Sequence, residues 1–331
     1  MAGLFVQKHA EAVRAQGVDV RVLSAYSWRE LWREWRAFRR SGWIPDVVQL
    51  NVIQKQGLLA LWLKRRYHIP YIIVEHWSGY LPENGQFMRL PAFKRRLYAR
   101  IAREASVLLG VSNRLIEAMR ACGVTNSDTR KINNVVDDFF FEESGVKRQE
   151  ASRKNILHVS CFDERAKNVK SLLRAAKQLS GKRQDWQLVL VGDGIDYKET
   201  RAYAQELQIP EPFMRWTGEL TPRQVAEEMD KADILVLPSR YENAPVVISE
   251  SLAKGVPVLT TKVGGIPEMV NESNGLLIAP NDDAALAQAM ETMLDRYPKY
   301  DREAIRQTAR QYAFDAVGGQ LKQLYEQVTE Q

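Results

Sequence analysis

The chain has 331 residues, 45% of them hydrophobic, with 47 Lys and Arg against 41 Asp and Glu and a formal net charge of +6. This length exceeds one ordinary domain and suits two, with apolar residues enough for two cores. The longest apolar run, residues 57–63, is far short of the roughly 20 residues a membrane-spanning helix needs. No basic-then-apolar leader opens the chain. Its two isolated cysteines, Cys122 and Cys161, fit a reducing compartment better than a disulfide framework and are too far apart for a metal knuckle. A cytoplasmic location is expected. The charge is uneven: residues 1–150 carry 24 Lys and Arg against 15 Asp and Glu, and the remainder 23 against 26. A basic N-terminal half calls for an acidic partner: phosphate groups, anionic lipid or nucleic acid.

Residues 3–10 read as a turn and a helix. Next comes a β-rich run at 18–23, then a helical pattern carrying Trp28, Leu31, Trp32, Trp35 and Phe38 among Arg29, Arg33, Arg36, Arg39 and Arg40. Further β-rich runs follow at 47–52, 71–75, 107–111 and 131–136, with helical patterns between them. Residues 142–154 are polar, charged and without apolar periodicity, which places the domain junction there. Beyond it lie β-rich runs at 155–160, 187–191, 213–217, 234–237, 257–260 and 276–279. Such alternation predicts an α/β fold of parallel sheets with helices on both faces. Eleven strands are too many for one small doubly wound domain, so two are expected, residues 1–148 and 149–309, followed by a helix within 310–331. A doubly wound domain normally opens with a strand, a Gly-rich turn and a helix. This chain opens at the turn, so 18–23 reads as the second strand, and loss of the first strand by upstream truncation is expected.

The most informative stretch runs from Glu242 to Glu250. An apolar run ending Pro238-Ser239 precedes it, and Val263-Gly264-Gly265-Ile266-Pro267-Glu268 follows after a further strand. Glu242 thus falls at the carboxyl end of a strand and Glu250 about two turns into a helix, at the edge where open α/β sheets bind ligands. Two carboxylates there suit a polyhydroxylated ligand, since each accepts hydrogen bonds from vicinal hydroxyls. Gly264 and Gly265, before a helix, offer amides to an anion.

Residues 232–270 resemble the retaining glycosyltransferases of family 4, whose signature is a Glu, seven intervening residues and a second Glu, between a Pro-Ser strand end and Gly-x-Pro-Val and Gly-Gly-x-x-Glu segments. The likeness extends to Gly192-Asp193-Gly194, to Asn134-Val135-Val136-Asp137, and to a closing helix at 314–325 that crosses back to the first domain. It implies the GT-B fold: two Rossmann-like domains facing one another across a cleft. It further implies that Glu250 accepts hydrogen bonds from the nucleotide ribose, that Glu242 lies near the donor sugar, and that Trp216 and Thr217 hold the base. Asn243-Ala244-Pro245 replaces the usual Gly-Phe-Gly or Gly-Phe-Pro, whose amides cradle sugar and diphosphate. Asn tolerates positive φ, so the turn is expected to survive. In the loop 160–168 Lys167 matches the family's diphosphate-binding Lys, while Cys161 stands where an Arg is usual and Arg165 is the substitute cation. Such cations stabilise the charge building on the leaving group. In the first domain His76 resembles the strand-end His that faces the sugar, and Gly3 the remnant of a Gly-rich loop on the acceptor side.

Residues 28–40 and 87–98 are both basic and aromatic, a composition suited to anionic lipid or a lipid-diphosphate acceptor, or to an amphipathic helix with its stripe on the core. No Asp-x-Asp metal motif occurs, and Tyr197 breaks a dinucleotide fingerprint at Gly192-x-Gly194. The expectation is a retaining, metal-independent glycosyltransferase without a cofactor, taking a UDP- or GDP-sugar to a glycan or lipid-linked acceptor, in peripheral contact with an anionic membrane and without nucleic acid. The alternatives are a nucleotide-sugar-binding protein that does not turn over, a basic nucleic-acid-binding module, and a GT-B epimerase.

Overall fold

The alternation of β-rich and helical segments resolves into two wholly parallel sheets, one of four strands and one of six. The computed structural model describes residues 4–25, 27–142 and 153–330, so Gly3 and most of the 142–154 junction lie outside the described residues. The chain divides into one unit of Met1–Val135 with Phe314–Gln331, and a second of Val136–Ala313.

The first unit contains α1 (Leu4–Ala15), α2 (Trp28–Arg40), β1 (Val48–Asn51), α3 (Gly57–Tyr67), β2 (Tyr71–Glu75), α4 (Ala92–Glu104), β3 (Val107–Gly110), α5 (Asn113–Ala121) and β4 (Thr129–Lys131). Its sheet order is β1-β2-β3-β4. Every residue of β2 and β3 is buried, as expected of parallel strands covered on both faces. A capping box between Ser27 and Glu30 starts α2. Leu31 and Trp35 of α2 pack with Leu59 and Leu63 of α3, and Trp32 meets Trp62 edge-on at 5.1 Å. Leu31, Trp32 and Trp35 of the α2 stripe therefore serve the core, while Trp28 is exposed and Arg29, Arg33, Arg36, Arg39 and Arg40 face solvent.

Two strand expectations are corrected. Residues 18–23 carry no strand. A strand needs a ladder, and among the described residues β1 pairs only with β2. Side chains hold the segment instead: Arg14 Nη2 donates to the Val20 carbonyl at 2.7 Å, and Trp43 Nε1 to Asp19 at 2.8 Å. The run at 131–136 contributes only its first residue, because β4 pairs with Leu108–Gly110 and the ladder ends where β3 does.

The second unit contains β5 (Lys154–Val159), α6 (Glu164–Lys167), α7 (Val169–Ser180), β6 (Trp186–Val191), α8 (Tyr197–Glu206), β7 (Met214–Gly218), α9 (Pro222–Lys231), β8 (Ile234–Leu237), α10 (Val246–Ala253), β9 (Val258–Thr261), β10 (Gly275–Ile278), α11 (Asp283–Arg296) and α12 (Arg302–Ala309). Its sheet order is β10-β9-β8-β5-β6-β7. Successive side chains leave a strand on opposite faces. Accordingly Ile156, Leu188, Leu190, Ile234 and Val236 pack with α7 and α11 residues such as Leu172 and Met290. Leu157, Val189, Val191, Leu235 and Leu237 pack with Met229, Ile248 and Ile305 of α9, α10 and α12.

The last helix, α13 (Phe314–Thr329), belongs to the first unit, where Lys322 donates to the Gln16 carbonyl and Tyr325 to Gln49. A methyl group on Gly318 would stand 2.5 Å from the Ala12 carbonyl oxygen, whereas Gly319 has nothing within 4 Å of that position. Gly318→Ala is expected to lose about 1–3 kcal/mol by forcing α1 and α13 apart. Gly319→Ala is expected to gain about 0.5–1 kcal/mol from helix propensity. Urea unfolding checks the pair, and equal effects would contradict the packing described.

Glu75 closes β2 with no exposed surface, accepting the backbone N–H groups of Ile53 at 3.0 Å, His76 at 3.0 Å and Trp77 at 2.9 Å. Burial outweighs these hydrogen bonds and lifts its carboxyl from 4.5 to about 7. The folded group holds its proton more tightly than the unfolded chain does. Its contribution is thus complete below 4.5 and is lost as pH rises to about 7, at no more than about 1.4 kcal/mol per pH unit. Glu75→Gln is expected to flatten that slope. Tryptophan fluorescence reads it in the right place, since six of the eight tryptophans lie in the first unit.

Candidate active site

In the second unit the strand order reverses between β5 and β8, the position at which open α/β sheets take ligands beyond the strand carboxyl ends. Residues 160–168 follow β5 and residues 238–245 follow β8.

A buried histidine shapes the first of these loops. His158 Nδ1 lies 2.8 Å from the Val236 carbonyl, which only accepts, so this nitrogen carries the proton and Nε2 accepts from the Ser160 hydroxyl at 2.9 Å. The Ser160 oxygen in turn accepts the Phe162 N–H at 3.3 Å. Burial lowers the His158 pKa to about 4, against the raising effect of the Val236 hydrogen bond, and the nearby Lys167 charge lowers it further. The imidazole is neutral at ordinary pH. Phe162 has φ +36°, a left-handed backbone uncommon for a bulky residue, and its fully buried ring lies among His158, Tyr197 and Trp216. This turn lies close against the Gly192 and Gly194 backbones: a Cβ at Gly192 would stand 1.9 Å from the Ser160 oxygen, and one at Gly194 1.8 Å from the Cys161 oxygen.

Asp163 then caps the single turn of α6, accepting from the Arg165 and Ala166 N–H groups. At its end Lys167 reaches the Glu242 carboxylate in a largely buried ion pair. Burial alone would lower the Lys167 pKa. The Glu242 charge and hydrogen bond, with Cys161 and Asp163 adding to them, more than offset burial and raise it. The Ser239 hydroxyl donates to the same Glu242 oxygen at 2.9 Å, and Thr261 of β9 holds the Ser239 carbonyl.

Gly264 meets Glu242 through the backbone. At φ +51° its Cβ position lies 1.6 Å from the Glu242 carbonyl oxygen, and Gly265 N–H points to that oxygen at 3.4 Å. The positive φ expected at Asn243 is not there. Gly264 takes the left-handed conformation, and Glu242's backbone leaves no room there for a side chain. Asn243 and Pro245 are buried, Ala244 half-buried, and Glu250 lies half-buried in the second turn of α10.

The structure thus brings Lys167, Glu242, Gly264 and Gly265 together around the β8 end. Gly192 and Trp216 gather around Phe162, where the Thr217 hydroxyl turns toward the Leu190 and Gly218 carbonyls. Arg165 is exposed on α6. In the first unit His76 follows β2, stacked on Phe5 at 5.2 Å and 5.5 Å from His9. Burial, then the neighbouring His9, lower its pKa to about 3 despite a hydrogen bond with Asn134, so its ring is neutral. Gly3 lies outside the described residues. Sequence reasoning missed His158, Asp163 and Arg240. Only Asp163, a helix cap before Glu164-Arg165-Ala166, carries a local signal.

The family model described as Glycosyl transferases group 1 matches residues 140–312, and that described as Glycosyl transferase 4-like domain matches residues 3–134. The lipopolysaccharide 1,6-galactosyltransferase of Escherichia coli is 28% identical over 194 residues, 57% of this chain and 51% of the relative. The chain spans about half the length of that curated relative. Among solved structures, the sucrose-phosphate synthase of Thermosynechococcus elongatus superposes with a TM-score of 0.82 at 20% identity, covering 100% of this chain and 94% of the other. Anabaena Alr3699/HepE in complex with UDP-glucose gives 0.71 at 20% identity, covering 99% and 94%. The chain belongs to the Glycosyl transferases group 1 family and has its GT-B fold.

Proposed function

We propose that this chain transfers a sugar, with retention and without a metal, from a nucleoside-diphosphate sugar to a glycan or lipid-linked acceptor. The observation that carries it is the Lys167–Glu242 pair at the strand-order reversal. Lys167 is the cation placed to stabilise the diphosphate as the glycosidic bond breaks. Glu242, held by Lys167 and Ser239, turns toward the sugar, and Gly264 and Gly265 offer amides to the phosphates. Glu250 takes the ribose hydroxyls and the Trp216–Thr217 turn the base, with a UDP- or GDP-sugar as donor. The departing phosphate oxygen accepts the proton of the acceptor hydroxyl on the same face, so no protein nucleophile is needed. His76, a neutral ring, is assigned to the acceptor side.

A thermal-shift panel of UDP-, GDP-, ADP- and TDP-sugars is expected to single out one base, with about 2.7 kcal/mol of stabilisation at a hundred times Kd. Lys167→Ala is expected to slow nucleoside diphosphate release roughly 10²- to 10³-fold, and Glu250→Ala to weaken donor binding roughly ten- to a hundredfold. Donor binding with no release under any acceptor would instead indicate a protein that binds without turnover. Salt-steep binding to DNA with no nucleotide affinity would indicate a nucleic-acid module.

Peripheral membrane contact rests on the region leading into α4. Met88 and Phe93 are 58% and 66% exposed beside the exposed cations Arg89, Lys94 and Arg96. Among the described residues no helix is long and apolar enough to cross a membrane. Binding to phosphatidylglycerol vesicles that falls with salt, and is lost in a Phe93→Ser, Lys94→Glu variant, is expected. Equal binding to neutral phosphatidylcholine vesicles would refute it.

A further inference from the structure

Arg240 lies between Ser239 and Glu242 on the loop after β8, yet its bonds, the one to Asn281 apart, run to the loop after β5. Its backbone N–H donates to the Ala166 carbonyl at 2.7 Å. Its Nη1 donates to the Glu164 carbonyl and its Nη2 to Asn168 Oδ1. The two Nη atoms also lie 3.4 and 3.3 Å from Glu164 Oε1, and Nε donates to Asn281 Oδ1 at 3.0 Å. One guanidinium therefore spans α6 from its first residue to the residue after its last, the two positions that bracket Lys167.

A single helical turn does not hold itself, because nucleation fixes more dihedrals than its bonds repay. Asn168, which ends α6, is left-handed at φ +54°, and Asn281 at φ +61°. The planar fork of an Arg reaches these acceptors at once, which a Lys cannot do. Each of its three guanidinium nitrogens is directed to a protein acceptor, so the side chain serves to hold structure rather than to meet a ligand.

We propose that Arg240 is a positioning residue: it fixes α6 so that the Lys167 ammonium stands beside Glu242 where the donor phosphates arrive. This rests on the assignment of Lys167 to the diphosphate, and the test separates the two. The probes are inorganic pyrophosphate and whichever of UDP, GDP, ADP and dTDP binds the wild-type chain most tightly by calorimetry. Lys167→Ala and Arg240→Ala are each expected to weaken binding about tenfold, and the double variant to be within about twofold of Lys167→Ala, because both act through one group. Millimolar guanidinium ion is expected to restore part of the Arg240→Ala loss, and Arg240→Lys to remain weak. If Arg240→Ala does not fold, Arg240→Gln carries the same comparison. Additive losses in the double variant, or wild-type binding by Arg240→Lys or Arg240→Ala, would overturn the proposal. Wild-type binding by Lys167→Ala would instead remove the assignment on which it rests.

Discussion

An ammonium and a carboxylate largely withdrawn from water stand where the order of the six-stranded sheet reverses. Burying either alone would be prohibitive, and removing one partner of such a pair typically costs about 3–5 kcal/mol because the other is left uncompensated. The pair is weak as a source of stability, since desolvation consumes most of the attraction. Its consequence is geometric. Lys167 comes from the loop after β5 and Glu242 from the loop after β8, so the two loops that flank the strand-order reversal are tied at their tips. The Ser239 hydroxyl, held in place through Thr261, fixes the carboxylate end, and Asp163 and Arg240 fix the ammonium end.

Around that pair the loops meet backbone to backbone. Gly264 lies on the Glu242 carbonyl, and Gly192 and Gly194 lie on the carbonyls of Ser160 and Cys161. No side chain fits at such approaches, which brings peptide groups, and their hydrogen-bonding capacity, close to the charged pair. The neutral His158 supports the arrangement from below: its tautomer is dictated by the Val236 carbonyl, and through Ser160 it holds the left-handed Phe162. Lys167 stands beside this turn, and Cys161 brings no positive charge to it.

The first unit solves a different problem, burying polar groups without a counter-charge. Glu75 is satisfied by three backbone amides and by burial that favours its proton, while His9 and His76 are kept neutral by desolvation. The charge asymmetry of the chain is thus a surface property, carried on the outer faces of α2 and α4 rather than in the core.

The amino-acid sequence by itself determined the α/β class, the parallel sheets and the place of Glu242 and Glu250, because short β-rich runs alternating with helical patterns, glycine turns and strand-end carboxylates are local signals. It misled at 18–23, where among the described residues no strand stands alongside to complete a ladder, and at Asn243, where a tolerance for positive φ was not used. Arg240 and His158 were invisible for the same reason. The Glu164 and Asn168 partners of Arg240 lie 76 and 72 residues away and the Val236 partner of His158 lies 78 residues away in the chain, and no periodicity records an interaction across that separation. Only the tertiary structure decided that Lys167 and Glu242 form a pair, because strand order, not sequence order, places β5 beside β8.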